Sequence, residues 1–163
     1  MCRKIVMAVC VLLFLSLSII ACGEKKKMEA EATKAAPLQV FEQEITSPAP
    51  PQTLNVGESV MIPVTVKNTG NEPWPCKGID KKNTNGVRLG FHWLDNSGKT
   101  IQEGRAPLFP HDISPGSSVS LEAKAQAPSE PGDYTLRFSV VQEQVAWFHK
   151  KGAVPFIINI KVQ

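Results

Sequence analysis

Three things are scarce in this 163-residue chain: net charge where it folds, cysteine, and helical periodicity. From Leu38 to the end, 12 Lys and Arg stand against 12 Asp and Glu, a difference of zero. A neutral domain offers no electrostatic footprint to nucleic acid, which excludes that partner. Of the four cysteines, at positions 2, 10, 22 and 76, no two form C-x-x-C. H-E-x-x-H, H-x-x-E-H, G-x-S-x-G and the phosphate-cradling glycine loop are missing as well. His92, His111 and His149 are spread along the chain, and none lies within 15 residues of Cys76. An enzyme needs a nucleophile, base and orienter, or a metal with an open position. No catalysis, no cofactor and no metal site is therefore expected. No apolar stripe of period 3.6 follows Pro37, which excludes a helical bundle.

What is present begins with an address. Arg3 and Lys4 precede residues 5–20, an apolar run of 16 without a charge. A membrane-spanning helix wants about 20 apolar residues, so the run suits a cleaved export signal better. It ends Ile19-Ile20-Ala21-Cys22, and this resembles the lipobox of bacterial lipoproteins. The resemblance implies a signal peptide over 1–21 and acylation of Cys22, which makes the lipid membrane a partner. Two or more acyl chains hold a protein stably at a bilayer, where one binds marginally. Gly23 in place of an aspartate matches default sorting to the outer membrane where a cell has two. The mature chain then keeps one thiol, Cys76, so no internal disulfide forms despite an oxidising compartment. Residues 22–37, rich in Lys, Glu and Ala and without apolar period, read as the acylated cysteine and a flexible linker. Its triple lysine, 25–27, adds electrostatic attraction to an anionic surface.

From Leu38 the pattern has period two. Val60, Ile62, Val64 and Val66 alternate with polar residues, as do Val87, Leu89, Phe91 and Trp93. Val119 to Ala125, Tyr134 to Val140 and Phe156 to Val162 repeat the alternation. Each run reads as a strand with one buried and one wet face. Turn signals separate them: Asn-Thr-Gly at 68–70, Asn-Ser-Gly at 96–98, Ser-Pro-Gly at 114–116 and Glu-Pro-Gly-Asp at 130–133. About seven such strands over 38–163 predict an all-β, antiparallel sandwich of the immunoglobulin-like kind. Pro63 cannot donate to a ladder, so it should mark an edge-facing position or a bulge.

The motifs Val-Lys-Asn-Thr-Gly-Asn-Glu-Pro-Trp (66–74), Phe-His-Trp (91–93), Ser-Pro-Gly (114–116) and Ala-Pro-Ser-Glu-Pro-Gly-Asp-Tyr (127–134) occur in this order. Together they resemble the Ig-like class that includes the four-tryptophan domain of selective-autophagy receptors. They also resemble Ig-like modules appended to bacterial glycosyltransferases, which share the closing pattern at 140–148. Trp74 and Trp93 match two of the four tryptophans, while Val64 and Phe138 stand at the other two positions. The resemblance implies structural roles for Trp74, for Trp93 as a buried strand-C tryptophan, and for Tyr134 as a tyrosine corner. These motifs specify a fold and leave the chemistry open.

Binding is what remains. With Phe91 and Trp93 inward, Arg88 and His92 point outward from one strand, and Arg137, Ser139 and Val141 from the next. Arg88, His92 and Arg137, with Trp147 at the border, are the candidate binding residues, suited to an acidic protein surface or an acidic glycan. An exposed His92 would tighten such binding below about pH 6.5. Three functions follow: a non-enzymatic envelope lipoprotein with a protein-binding Ig-like module, a glycan-binding module using Trp74, Trp93 and Trp147, or an enzyme or metal carrier that the motifs do not reveal, His92 and His149 being the histidines that neighbouring strands could bring together. Exposure of Trp147 beside His149 would separate them.

Overall fold

A computed structural model describes residues 35–163; the expected signal peptide (1–21), acylated Cys22 and most of the linker lie outside them. The chain forms β1 (Gln43–Thr46), β2 (Thr53–Leu54), β3 (Ser59–Asn68), β4 (Val87–Leu94), β5 (Thr100–Arg105), β6 (Ser118–Gln126), β7 (Gly132–Gln142), β8 (Ala146–Trp147) and β9 (Phe156–Val162). A single 3₁₀ turn, Phe148–Lys151, follows β8. Among the described residues no helix is long and apolar enough to cross a membrane.

One sheet is ordered β1-β3-β6 and the other β2-β9-β7-β4-β5, with β8 also on β7. All pairings are antiparallel except β2 on β9. This is the immunoglobulin-like arrangement, a strand pair from the middle of the chain (β4, β7) facing the sheet built by β3 and β6. The inward sets expected from alternation are buried between the sheets: Ile62, Val64 and Val66 from β3, Leu89, Phe91 and Trp93 from β4, Leu136, Phe138 and Val140 from β7. Burying each such side chain contributes about 1.5–3 kcal/mol, which is what sets the register.

Local chemistry explains the turns. Asn68 is buried; its Nδ2 donates to the carbonyls of Glu72 and Ile113, and its Oδ1 accepts from Gly70 N–H at 3.0 Å. The Asn-Thr-Gly motif therefore acts through the asparagine side chain, whereas the left-handed glycines of the domain include Gly98, Gly116 and Gly152. Pro63 sits in β3, and β1 pairs β3 only from Thr65 to Asn68. At Pro63 the strand has a neighbour on one side alone, the edge-facing position a strand proline needs.

The residues just before Leu38 also touch the folded domain. Ala35 is buried. The Ala36 carbonyl accepts from Gln142 Nε2 at 2.6 Å, and Leu38 N–H donates to Gln142 Oε1 at 2.9 Å. A buried glutamine at the end of β7 thus fastens the end of the linker, a contact between residues about a hundred positions apart.

Candidate functional site

The outer face of β4 and β7 is set by their register. Arg88 pairs with Val141, Gly90 with Ser139, and His92 with Arg137. On the flanking strands, Glu103 of β5 lies opposite His92, and Ile157 of β9 lies opposite Arg137. Arg88, His92 and Arg137 accordingly share one face, as period two requires.

That face is not the open surface expected. His92 is 4% exposed and Trp147 8%. After β8 pairs with the end of β7 at Trp147↔Val141, the chain turns in the 3₁₀ segment. Trp147 lies across the sheet, its ring 4.1 Å from that of His92. The room comes from Gly90: a Cβ there would sit 2.6 Å from the indole. Ser139, opposite Gly90, is small as well, and its Oγ accepts from His149 N–H at 3.2 Å. Phe148 points the other way into the core, edge-on to Trp74 and Phe41 at 5.3 and 5.1 Å. Gly152, at φ 99°, closes the turn in the left-handed region that favours glycine.

Arg105 completes the cover. Its guanidinium lies 4.5 Å over the Trp147 ring. It also donates to Glu143 at 2.8 and 3.3 Å and to Glu103 at 2.7 Å. These forked, charge-assisted bonds hold it charged against burial. Glu103 meets His92 Nε2 at 3.2 Å. Arg88 turns to the Ala106 carbonyl. Among the described residues the Nε atoms of Arg88 and Arg137 are both buried without a hydrogen-bond partner, and Arg137 has no carbonyl or carboxylate on its other nitrogens either. The Nδ1 atoms of His92 and His149 are buried and unpaired in the same way.

Burial first, then the charge of Arg137, holds His92 below its ordinary value against the pull of Glu103. Burial, followed by Arg137, His92 and Lys150, pushes His149 down to about 4. The exposed, pH 6.5 titration expected of His92 therefore does not arise. The two imidazoles do meet, with ring centres 5.4 Å apart. A guanidinium beside them opposes a cation, however, and no three His, Cys, Asp or Glu side chains among the described residues are placed to hold a metal.

The other singled-out residues are structural in placement. Trp93 is 0% exposed and lies edge-on to Tyr134 at 6.3 Å. The Tyr134 hydroxyl donates to the Glu130 carbonyl at 3.1 Å. Trp74 is 1% exposed, bridged to Ile113 through paired backbone bonds of 2.9 and 3.0 Å and stacked on Phe109. Cys76 is buried; its N–H donates to Asp112 at 2.8 Å, and burial together with that carboxylate pushes its thiol up. A raised thiol is a poor nucleophile. Sequence reasoning missed Arg105, Glu103, Glu143 and the role of Gly90. A glycine inside a strong strand was the available signal, since it marks a close approach by another group.

The chain matches no family model and no curated protein. Among solved structures it is similar to a β-glucosidase from Listeria innocua in complex with laminaribiose, at 14% identity and TM-score 0.44, over 75% of this chain and 16% of that one. It is similar to the CARDB domain of a Pyrococcus furiosus protein, at 16% identity and TM-score 0.42, over 74% and 92% of the two chains. An alkylpurine DNA glycosylase from Pseudomonas fluorescens is similar at 12% identity and TM-score 0.47, over 75% of this chain and 30% of that one. The chain thus spans about a sixth of the glucosidase and under a third of the glycosylase.

Proposed function

We propose that this protein is a lipid-anchored lipoprotein of the bacterial cell envelope whose Ig-like domain is a non-enzymatic, protein-binding module. The observation that carries this reading is the gathering of three guanidiniums, Arg88, Arg105 and Arg137, on one sheet face against two carboxylates, Glu103 and Glu143. Excess donors on a rigid sheet suit an acidic partner surface. The lipobox at 19–22 supplies the anchor and the compartment. Burial of Trp74, Trp93 and Trp147 supports a protein partner over a glycan, because stacking on sugar rings needs exposed aromatic faces. The thiol of Cys76, raised and paired with a carboxylate, supports binding over catalysis.

Two measurements test the parts separately. Cys22→Ser should leave an unprocessed or soluble species that takes up no labelled fatty acid; a fully acylated, membrane-bound mutant would overturn the anchor. Cross-linking of the full chain in intact envelopes should give a discrete complex that Arg88→Ala/Arg137→Ala abolishes while remaining folded. A wild-type chain that forms no complex would overturn the binding role.

A further inference from the structure

Arg137 is the arginine of this face whose side chain makes no hydrogen bond among the described residues, whereas Arg88 reaches a carbonyl and Arg105 two carboxylates. Its register neighbours are His92 on β4 and Ile157 on β9. Thr135 and Ser139 precede and follow it on the same face. None of these is a carboxylate. Glu103, one strand beyond, is already engaged by His92 and Arg105. A part-buried guanidinium with an unsatisfied Nε is a costly arrangement to leave without a partner, since a buried donor that has lost water is penalised, and more so when charged.

Beside it the sheet is open. A groove of about 670 Å³ runs along β7 and β9 from Ile157, lined by Thr135, Asn159 and, at its far end, the cross-strand pair Asp133 and Lys161. Ile157, directly opposite Arg137, is 45% exposed. A planar, forked donor next to an exposed apolar side chain matches a carboxylate carried on an extended peptide with apolar flanking residues. An inorganic anion would use the charge and ignore the isoleucine.

We propose that Arg137 is the anchor of a peptide-binding subsite that takes an Asp or Glu side chain of a protein partner, the partner segment lying over Ile157 and along the groove towards Lys161. This deepens the protein-binding reading above and rests on it. The imidazoles of His92 and His149 both feel the Arg137 charge and so report on the subsite. The groups around His149 are Arg137 on β7, His92 on β4 and Lys150 on its own turn, with Glu103 and Arg105 of β5 beyond His92. A carboxylate on Arg137 neutralises the strongest of the opposing charges, so the His149 titration midpoint should rise from about 4.

The test uses the full chain in detergent micelles and the blocked peptides Ac-Val-Glu-Val-NH₂ and Ac-Val-Gln-Val-NH₂. The glutamate peptide should bind, raise the His149 midpoint, and lose affinity about tenfold or more in the glutamine form and in Arg137→Gln. The Arg137 side chain makes no hydrogen bond among the described residues, so Arg137→Gln should fold; a circular-dichroism melt checks it. A shallower Ile157→Thr variant should weaken the peptide several-fold and leave acetate unaffected. Equal binding of the two peptides, indifference to Arg137→Gln, or no binding at about 10 mM would each overturn the subsite. Inorganic phosphate or glucuronate binding as well as the peptide would overturn the peptide assignment. Cross-linked complexes in the envelope that survive Arg137→Gln would sink this subsite while leaving the binding role intact.

Discussion

The outer face of β3 and β6 and the outer face of β4 and β7 are built from strands of similar length and alternation, yet they meet different surroundings. On β3 and β6 the outward residues, such as Met61, Ser120, Glu122 and Lys124, reach water, and alternation reads directly as burial. On β4 the last six residues are all buried, and so are the last five of β7. A second layer explains the contrast: Trp147 and its turn lie over Gly90, Ser139 and His92, with Arg105 above. Where a sheet face has a cover, polar residues beneath it lose water and must find partners or shift their protonation. His92, His149 and Ser139 do this; the serines and charged residues on β6 do not have to.

The inner layer should be the least forgiving place to cut. Trp93→Ala should cost about 3–5 kcal/mol, the range of large aromatic truncations in cores, measured by denaturant unfolding. Indifference to it would overturn the assignment of the sandwich core.

The cover is next. Gly90→Ala drives a methyl into the Trp147 ring, and overpacking of this kind costs about 1–3 kcal/mol. It should also lift the strap that β8 and its 3₁₀ turn lay over the sheet, increase solvent quenching of tryptophan fluorescence and move the His149 midpoint back towards about 6.5. A variant with unchanged stability and an unchanged midpoint would show that the contact with Trp147 does not hold the strap.

Acid sharpens the same contrast. His149 is depressed in the folded state, so the unfolded chain binds the proton more readily. Its contribution is full above about pH 6.5, is lost as pH falls towards about 4, and is flat below that. Unfolding free energy should therefore decline across this window in the wild type, and His149→Gln should flatten the decline. The same slope in both proteins would assign the acid sensitivity to other groups.

The smallest effect belongs to the open end of the domain. Tyr134→Phe removes one bond, to the Glu130 carbonyl, and should cost about 0.5–1.5 kcal/mol. A loss equal to that of Trp93→Ala would mean that the corner organises the core rather than pinning a loop.

Five strands were legible in the sequence because each carries alternating apolar residues over seven or more positions: β3, β4, β6, β7 and β9. The others were not. β5 (Thr100–Arg105) has no buried residue and pairs only with β4, so nothing in its hydrophobicity marks it. β1 is four residues long and buries a glutamine: Gln43 Oε1 accepts from Val140 N–H at 2.7 Å, filling the stretch of β7 between its pairings with β8 and β9. Of the candidate site, the shared face of Arg88, His92 and Arg137 was legible, since period two alone places them there. The cover was not, because its pieces lie far apart in sequence.

By itself, then, the sequence determined the class of the fold, the inward residues of five strands, the turns and the placement of the arginines on one face. These depend on local periodicity and on the backbone demands of proline, glycine and asparagine. Only the tertiary structure decided which face stays wet, that Trp147 lies on His92, that Gln142 fastens the linker, and that Arg105 finds carboxylates while Arg137 does not. Those outcomes turn on contacts such as Arg105 with Glu143 and Gln142 with Ala36, 38 and 106 positions apart and brought together only when the chain folds.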